Sequence, residues 1–120
     1  MRENKRAKGG LYEQKAAAYL KKQGYVILET NYRCRQGEID LIAREGETLV
    51  FVEVKYRSRM GSGDPSEAVD GKKQSRISRC ALYYLTKRGV VDVPCRFDVI
   101  CVSGKDGKLT WYPNAFDYQE

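Results

Sequence analysis

The sequence predicts a mixed α/β fold, a central mixed β-sheet flanked by helices in the order α-β-β-β-α-β-β. Three observations carry this. Apolar residues recur at helical spacing in two separate stretches, residues 10–23 and 64–88. Three runs rich in β-branched and aromatic residues lie between them. Two more such runs follow the second helical stretch.

Residues 1–8 set Arg2, Lys5, Arg6 and Lys8 against a single Glu3. They read as a basic, flexible arm, either a frayed end or a segment that touches phosphates. In residues 10–23, Ala16, Ala17 and Leu20 form one helical face. Glu13, three residues before Ala16, extends that face with a carboxylate. Two readings stand for it: a solvated acid favoured by the dipole of the first turn, or an inward-facing group with a task. Gly24 stops the helix. Residues 25–33, 37–43 and 48–56 read as strands, with a turn at Glu45-Gly46-Glu47. The run Val50-Phe51-Val52 marks the third strand as buried and central.

Residues 57–64 carry two arginines and two glycines and read as a basic loop, able to wrap a phosphate backbone or simply to connect. Asp64-Pro65-Ser66-Glu67 supplies a cap, a proline at the first helical position and an acid at the third. Gly71 interrupts or restarts this helix. Beyond it Ile77, Cys80, Ala81, Tyr84, Leu85 and Arg88 share a face that reaches back to Lys73. Lys72, Arg76 and Arg79 fall off the stripe and are expected to face solvent. Gly89 ends the helix. Residues 95–102 follow Pro94 as a fourth strand, and Asp106-Gly107 turns the chain into a fifth, residues 108–112.

At 120 residues, a single domain spanning 1–120 is expected. Hydrophobic residues at 42% and charged residues at 32% fit a globular chain. No apolar run approaches the roughly 18 residues that span a bilayer, and the polar, basic N-terminus is unlike a secretory signal. The cytoplasm is the expected location. With no histidine, a Ser-His-Asp triad, a Cys-His dyad and a histidine-liganded metal are all excluded. Cys34, Cys80, Cys95 and Cys101 contain no Cys-x-x-Cys pair and are expected as reduced, largely buried thiols. The net charge of +6 suits a polyanionic partner or simply a solvated basic surface.

Chemistry concentrates in residues 37–57. Glu38, Asp40 and Ile42 share one face of the second strand; Phe51, Glu53 and Lys55 share one face of the third. An even-numbered turn centred on Glu45-Gly46 sets Asp40 opposite Phe51 and Glu38 opposite Glu53. Asp40 is then diagonal to Glu53, with α-carbons about 7–8 Å apart. A three-residue turn without a bulge would send Asp40 to the other face, so the reading demands that Asp40 and Glu53 project together. Phosphodiester hydrolysis uses a hard cation to neutralise the phosphate and activate water. Mg²⁺ takes one or two carboxylates together with waters and substrate phosphate. Asp40 and Glu53 suit that role, with the main-chain carbonyl of Val54 as a third ligand. Lys55 is spaced to orient water and stabilise a pentavalent phosphate. The plainer alternative is a salt-bridge network on a solvated sheet face. Arg96 and Asp98 share a face of the fourth strand and are expected to pair with each other. Trp111 and the tyrosines are expected to serve packing.

Asp40, then Glu53-Val54-Lys55 after strand-turn-strand, resembles the PD-(D/E)xK signature of restriction-endonuclease-like nucleases. Further residues resemble one family in that group, the YraN-like uncharacterised bacterial proteins: Gly9 with Glu13, Ala17 to Leu20, Gly24-Tyr25, Asn31-x-Arg33, Gly37 to Ile42, Phe51 to Lys55 with Arg57, Glu67-Ala68-Val69, Lys73-Gln74 and Arg96-Phe97-Asp98. That family is similar in turn to Holliday-junction resolvases. The resemblance implies a restriction-endonuclease-like sheet, Mg²⁺ or Mn²⁺ dependence, branched or otherwise structured DNA as substrate, and a homodimer. It implies a site of Glu13, Asp40, Glu53 and Lys55, with Lys73 as an auxiliary group. One departure is Tyr12, where the family often has glycine. A nucleic-acid-binding protein without turnover, on the same fold, is the alternative.

Overall fold

The computed structural model describes residues 5–57, 69–104 and 106–119, without the side chains of residues 5–9 and 57. The fold is mixed α/β: α1 (Lys5–Lys22), β1 (Val26–Cys34), β2 (Gly37–Glu45), β3 (Thr48–Arg57), α2 (Gly71–Arg88), β4 (Cys95–Ser103) and β5 (Leu109–Phe116). The five strands form one sheet in sequence order. Neighbours are antiparallel except β3 and β4, which run parallel with α2 in the connection between them, as a parallel pair requires a crossover.

The two helices pack on opposite faces of the sheet. Ala16, Ala17 and Leu20 of α1 join Leu41, Ala43, Val50, Val52, Ile100 and Val102. Ile77, Cys80, Ala81 and Tyr84 of α2 join Ile42, Phe51, Phe97 and Val99. Alternation along β3 does this directly: even-numbered Val50 and Val52 face α1, odd-numbered Leu49 and Phe51 face α2. Burial on both faces explains the uninterrupted apolar run of β3. No helix among the described residues is long and apolar enough to cross a membrane.

Several element boundaries differ from the expected ones. Helix α1 begins at Lys5, so Lys5–Lys8 of the expected arm are helical, while residues 1–4 lie outside the described residues. It ends where expected, with Gly24 at φ 92° and the Tyr25 N–H donating to the Leu20 carbonyl at 3.1 Å. The Asp64-Pro65-Ser66-Glu67 signal and the basic loop at 58–64 lie outside the described residues. The helix that is described starts at Gly71, capped by Asp70, whose carboxylate accepts the Lys73 N–H at 2.8 Å. Strand β5 runs on through Pro113, which an edge strand tolerates because its outer N–H positions need no ladder partner. Arg88 leaves the inward stripe: it bonds Glu29 at 2.7 Å and covers the Tyr84 ring from outside. Lys72, Arg76 and Arg79 face solvent as expected. All four cysteines are free, but only Cys80 and Cys101 are buried; Cys34 is half-buried and Cys95 exposed.

Arg96 and Asp98 form the expected ion pair, at 2.9 and 3.0 Å. Asp98 is fully buried and also accepts from Trp111 Nε1 at 2.9 Å and from the Asn114 N–H at 2.8 Å. The β4–β5 register slips at this point, between Phe97 and Val99, so the carboxylate takes up a backbone donor that the ladder leaves over. The Arg96 guanidinium also donates to the Tyr25 hydroxyl at 2.7 Å. Trp111 packs edge-on against Tyr19 and Tyr25, a packing role as expected.

Candidate active site

The β2–β3 ladder runs from Glu45↔Thr48 to Leu41↔Val52 and stops. The turn is Gly46-Glu47, one residue later than expected, which slides the partners by two. Asp40 now falls opposite Glu53 instead of Phe51, and Glu38 is no longer opposite Glu53. Along the regular ladder, Leu41 to Glu45, a slip of two keeps every side chain on its own face. Asp40 and Glu53 therefore meet, more directly than the diagonal placement expected from the sequence.

The ladder stops because Asp40 replaces a backbone partner. Its carboxylate accepts the Val54 N–H at 2.8 Å. Ile39 packs on the α2 side and Leu41 on the α1 side, although residues two apart in a strand ordinarily face the same way. The chain thus changes face at Asp40. On the other side, the β1–β2 pairs Thr30↔Leu41 and Tyr32↔Ile39 bracket Asn31 against Asp40. Asn31 has φ 51°, a left-handed conformation that asparagine tolerates better than most residues. Asn31, Asp40 and Glu53 thus line up across three strands at one irregular level of the sheet.

Helices supply the remaining groups. Glu13 of α1 lies near enough to Asp40 and Asn31 for both to act on its carboxyl. Lys73 of α2 forms an ion pair with Glu53 at 3.0 Å. Asp40 and Glu53 are 7% and 5% exposed, which is rare for carboxylates without partners. Burial pushes the Glu53 carboxyl up to about 8, helped by the Asp40 charge and opposed by Lys73. Burial, then Asp40, pushes Glu13 up to about 7, with the Asn31 hydrogen bond opposing. Burial works against the Lys73 ammonium, but Glu53, then Asp40 and Glu38, attract it, and its pKa ends above the usual value. Three neighbouring carboxylates thus face one half-buried ammonium, which pairs with Glu53, and the excess of negative charge is relieved by protons or by a further cation.

Lys55 lies two residues beyond Glu53 on the same face, half-buried, and forms no ion pair with the described residues. The Val54 N–H is spent on Asp40, and its side chain packs on the α1 side. Glu38 is exposed and pairs with Arg33 at 3.0 Å, at the rim. Of the residues expected in the site, Lys73 and Glu53 form an ion pair, Glu53 and Glu13 both feel the Asp40 charge, and Lys55 stands beside them. Asn31 enters the sequence reading only as part of the family motif Asn31-x-Arg33 and is given no place in the site. Among the described residues no three acidic or cysteine side chains close into a preformed metal cage. The donor set nevertheless fits a hard cation, because Mg²⁺ is commonly held by one or two carboxylates and completes its shell with water.

The Glu53 carboxyl makes the stability of the metal-free protein depend on pH. Its folded pKa lies above the ordinary 4.5, so folding favours its protonated form. That contribution is complete below about pH 4.5 and is lost as pH rises through about 8. Glu53→Gln removes the titration. In protein stripped of divalent cations, the melting temperature of the variant relative to the parent is expected to rise from about pH 5 to about pH 8 and to level off above it. A difference that stays constant over that range contradicts the assignment.

Comparison with known proteins places these features in a family. The family model described as uncharacterised protein family UPF0102 matches residues 12–102, which includes every candidate site residue. Similar proteins, each called a UPF0102 protein, include one from Lachnoclostridium phytofermentans, 50% identical over 95% of this chain and 96% of its own length. One from Moorella thermoacetica is 51% identical over 82% of each chain. One from Syntrophus aciditrophicus is 56% identical over 81% of this chain and 76% of its own.

Proposed function

The chain belongs to the uncharacterised protein family UPF0102, the YraN-like family that its motifs resemble, and on that premise we propose that it is a metal-dependent endonuclease acting on structured or branched DNA. The observation that carries this reading is the meeting of Asp40 with Glu53 and Glu13 across a break in the sheet, with Lys73 against Glu53. The break brings the buried Asp40 and Glu53 to one level of the sheet, with Glu13 near Asp40, and leaves them short of positive charge.

In this reading Asp40 and Glu53 hold a Mg²⁺ or Mn²⁺ ion, with Glu13 behind them and the Val54 carbonyl as a further oxygen ligand. The bound ion supplies charge neutralisation at the phosphate and a more acidic water. Asn31, beside Glu13, favours its ionised form. The Val54 N–H fixes the Asp40 rotamer. Lys73 aligns Glu53 from α2 and favours its ionised form against burial and the Asp40 charge. Lys55 is the cation free to meet a phosphate oxygen or the attacking water. Lys72, Arg76 and Arg79, exposed on α2, provide phosphate contacts beside the site. The resemblance to resolvases extends the proposal to one endonuclease-like domain working as a homodimer in the cytoplasm.

The test is a cleavage assay over linear, flapped and four-way-junction DNA with Mg²⁺ or Mn²⁺, paired with binding measured against salt. Metal-dependent cutting that prefers branched DNA is expected. The lack of a preformed metal cage among the described residues favours the second reading, a nucleic-acid-binding protein without turnover. That reading takes over when DNA binds with a steep salt slope while calorimetry finds no divalent-cation binding and no DNA is cut.

A further inference from the structure

Away from the carboxylates, two thiols from distant parts of the chain meet. Cys34 closes β1, and Cys80 sits 46 residues later on the buried face of α2. Their Sγ atoms are 3.0 Å apart, with the Cys34 S–H donating to the Cys80 sulfur. The Cys80 sulfur in turn lies 3.7 Å from the Gly37 carbonyl, to which it donates. Both are free thiols. A disulfide is about 2.05 Å long, so the sulfurs need approach by only about 1 Å, within the reach of small side-chain rotations.

We propose that Cys34 and Cys80 are a disulfide-forming pair, a covalent modification site at which a hydroperoxide oxidant closes an intrachain bridge between the end of β1 and α2. The two sulfurs differ in access. Cys80 is fully buried, and burial, then the neighbouring Cys34 sulfur, push its pKa up to about 12. It stays a thiol and is not the group attacked first. Cys34 is half-buried and lines an open cleft of about 360 Å³ together with Gly37, Glu38, Lys73 and Arg76. A small oxidant reaches it there.

The chemistry balances in two steps. The Cys34 sulfur attacks one peroxide oxygen, the O–O bond breaks, Cys34 becomes a sulfenic acid, and the other oxygen leaves as water or alcohol with the thiol proton. The Cys80 sulfur then attacks the Cys34 sulfur. The S–S bond forms, the S–O bond breaks, and the hydroxyl leaves as water with the Cys80 proton. Overall two thiols are oxidised and one hydroperoxide is reduced. Proximity makes the second step effectively unimolecular, so the bridge forms before Cys34 oxidises further. The bridge fastens the β1–β2 turn to α2 where the two already touch: a Cβ at Gly37 would meet Cβ of Arg76 at 3.4 Å. It therefore fixes the cleft wall that carries Lys73 and Arg76. It also restrains the unfolded chain.

The experiment treats the reduced full-length protein with one equivalent of hydrogen peroxide, alkylates the remaining thiols and maps peptides without reduction. The expected product is a Cys34–Cys80 crosslinked peptide, with two of the four thiols lost, a higher melting temperature, and full reversal by dithiothreitol. Cys95→Ser leaves the crosslink intact and Cys34→Ser abolishes it; because Cys34 is only half-buried, that variant keeps the fold, checked by circular dichroism. The proposal is overturned when exposed Cys95 is oxidised while Cys34 and Cys80 remain alkylatable. It is equally overturned when Cys34 proceeds to sulfinic acid with Cys80 still free.

Discussion

Asp40→Asn is expected to abolish metal-dependent DNA cleavage, lowering the rate by at least about 10²–10³-fold, while DNA binding and the fold persist. The substitution suits the site. The asparagine oxygen still accepts the Val54 N–H, a bond now made at 2.8 Å, so the break in the sheet keeps its cap. What disappears is the charge at the centre of the cluster, to which both Glu13 and Glu53 respond. Two readouts accompany the loss of cutting. Calorimetric Mg²⁺ or Mn²⁺ binding weakens, and the raised Glu13 carboxyl relaxes toward its ordinary value because one cause of its shift is gone. Cleavage by Asp40→Asn at the parental rate removes Asp40 from the chemistry and the endonuclease reading with it.

Asp98→Ala is expected to be strongly destabilising, at about 3–5 kcal/mol. For a chain of this size that lowers the melting temperature by roughly 10–20 °C. The reason is the number of groups left behind. The Arg96 guanidinium, the Trp111 N–H and the Asn114 N–H all donate to this carboxylate, and Asp98 itself is fully buried. Removing one partner of a buried ion pair costs more than the pair contributes, because the remaining charge stays desolvated. Asp98→Asn keeps an acceptor and is expected to lose less. A drop of only about a degree for Asp98→Ala contradicts this account. The pair also fixes β5 onto β4 at the register slip, so near-ultraviolet dichroism of Trp111 reports its loss.

The sequence made the faces of this fold legible and its irregularities illegible. Ala16, Ala17 and Leu20, or Ile77, Cys80, Ala81 and Tyr84, announce buried helical faces through spacing alone, and all are buried. The pairing of Asp40 with Glu53 survived a misplaced turn because a two-residue slip preserves faces. The change of face between Ile39 and Leu41 had no signal, since it depends on where a side chain, not a backbone group, takes the Val54 N–H. Asn31 was legible only within a family motif, and its place beside the site was missed for the same reason: its left-handed backbone is set by the strand beside it. Lys73 was legible as an extension of an apolar stripe, but its partner Glu53 becomes evident only when α2 is laid across the sheet.

The parallel pairing of β3 with β4 has a kinetic side. Strands β1 to β3 are contiguous in sequence and antiparallel, so their contacts are local and their loop-closure entropy is small. Strand β4 cannot register against β3 until α2 has crossed from one end of the sheet to the other, which makes that contact the slow, long-range one. Asp40 and Glu53, 13 residues apart, belong to the fast part; Lys73 belongs to the slow part. On contact order, the carboxylates are therefore expected to meet before the ammonium that balances Glu53 reaches it.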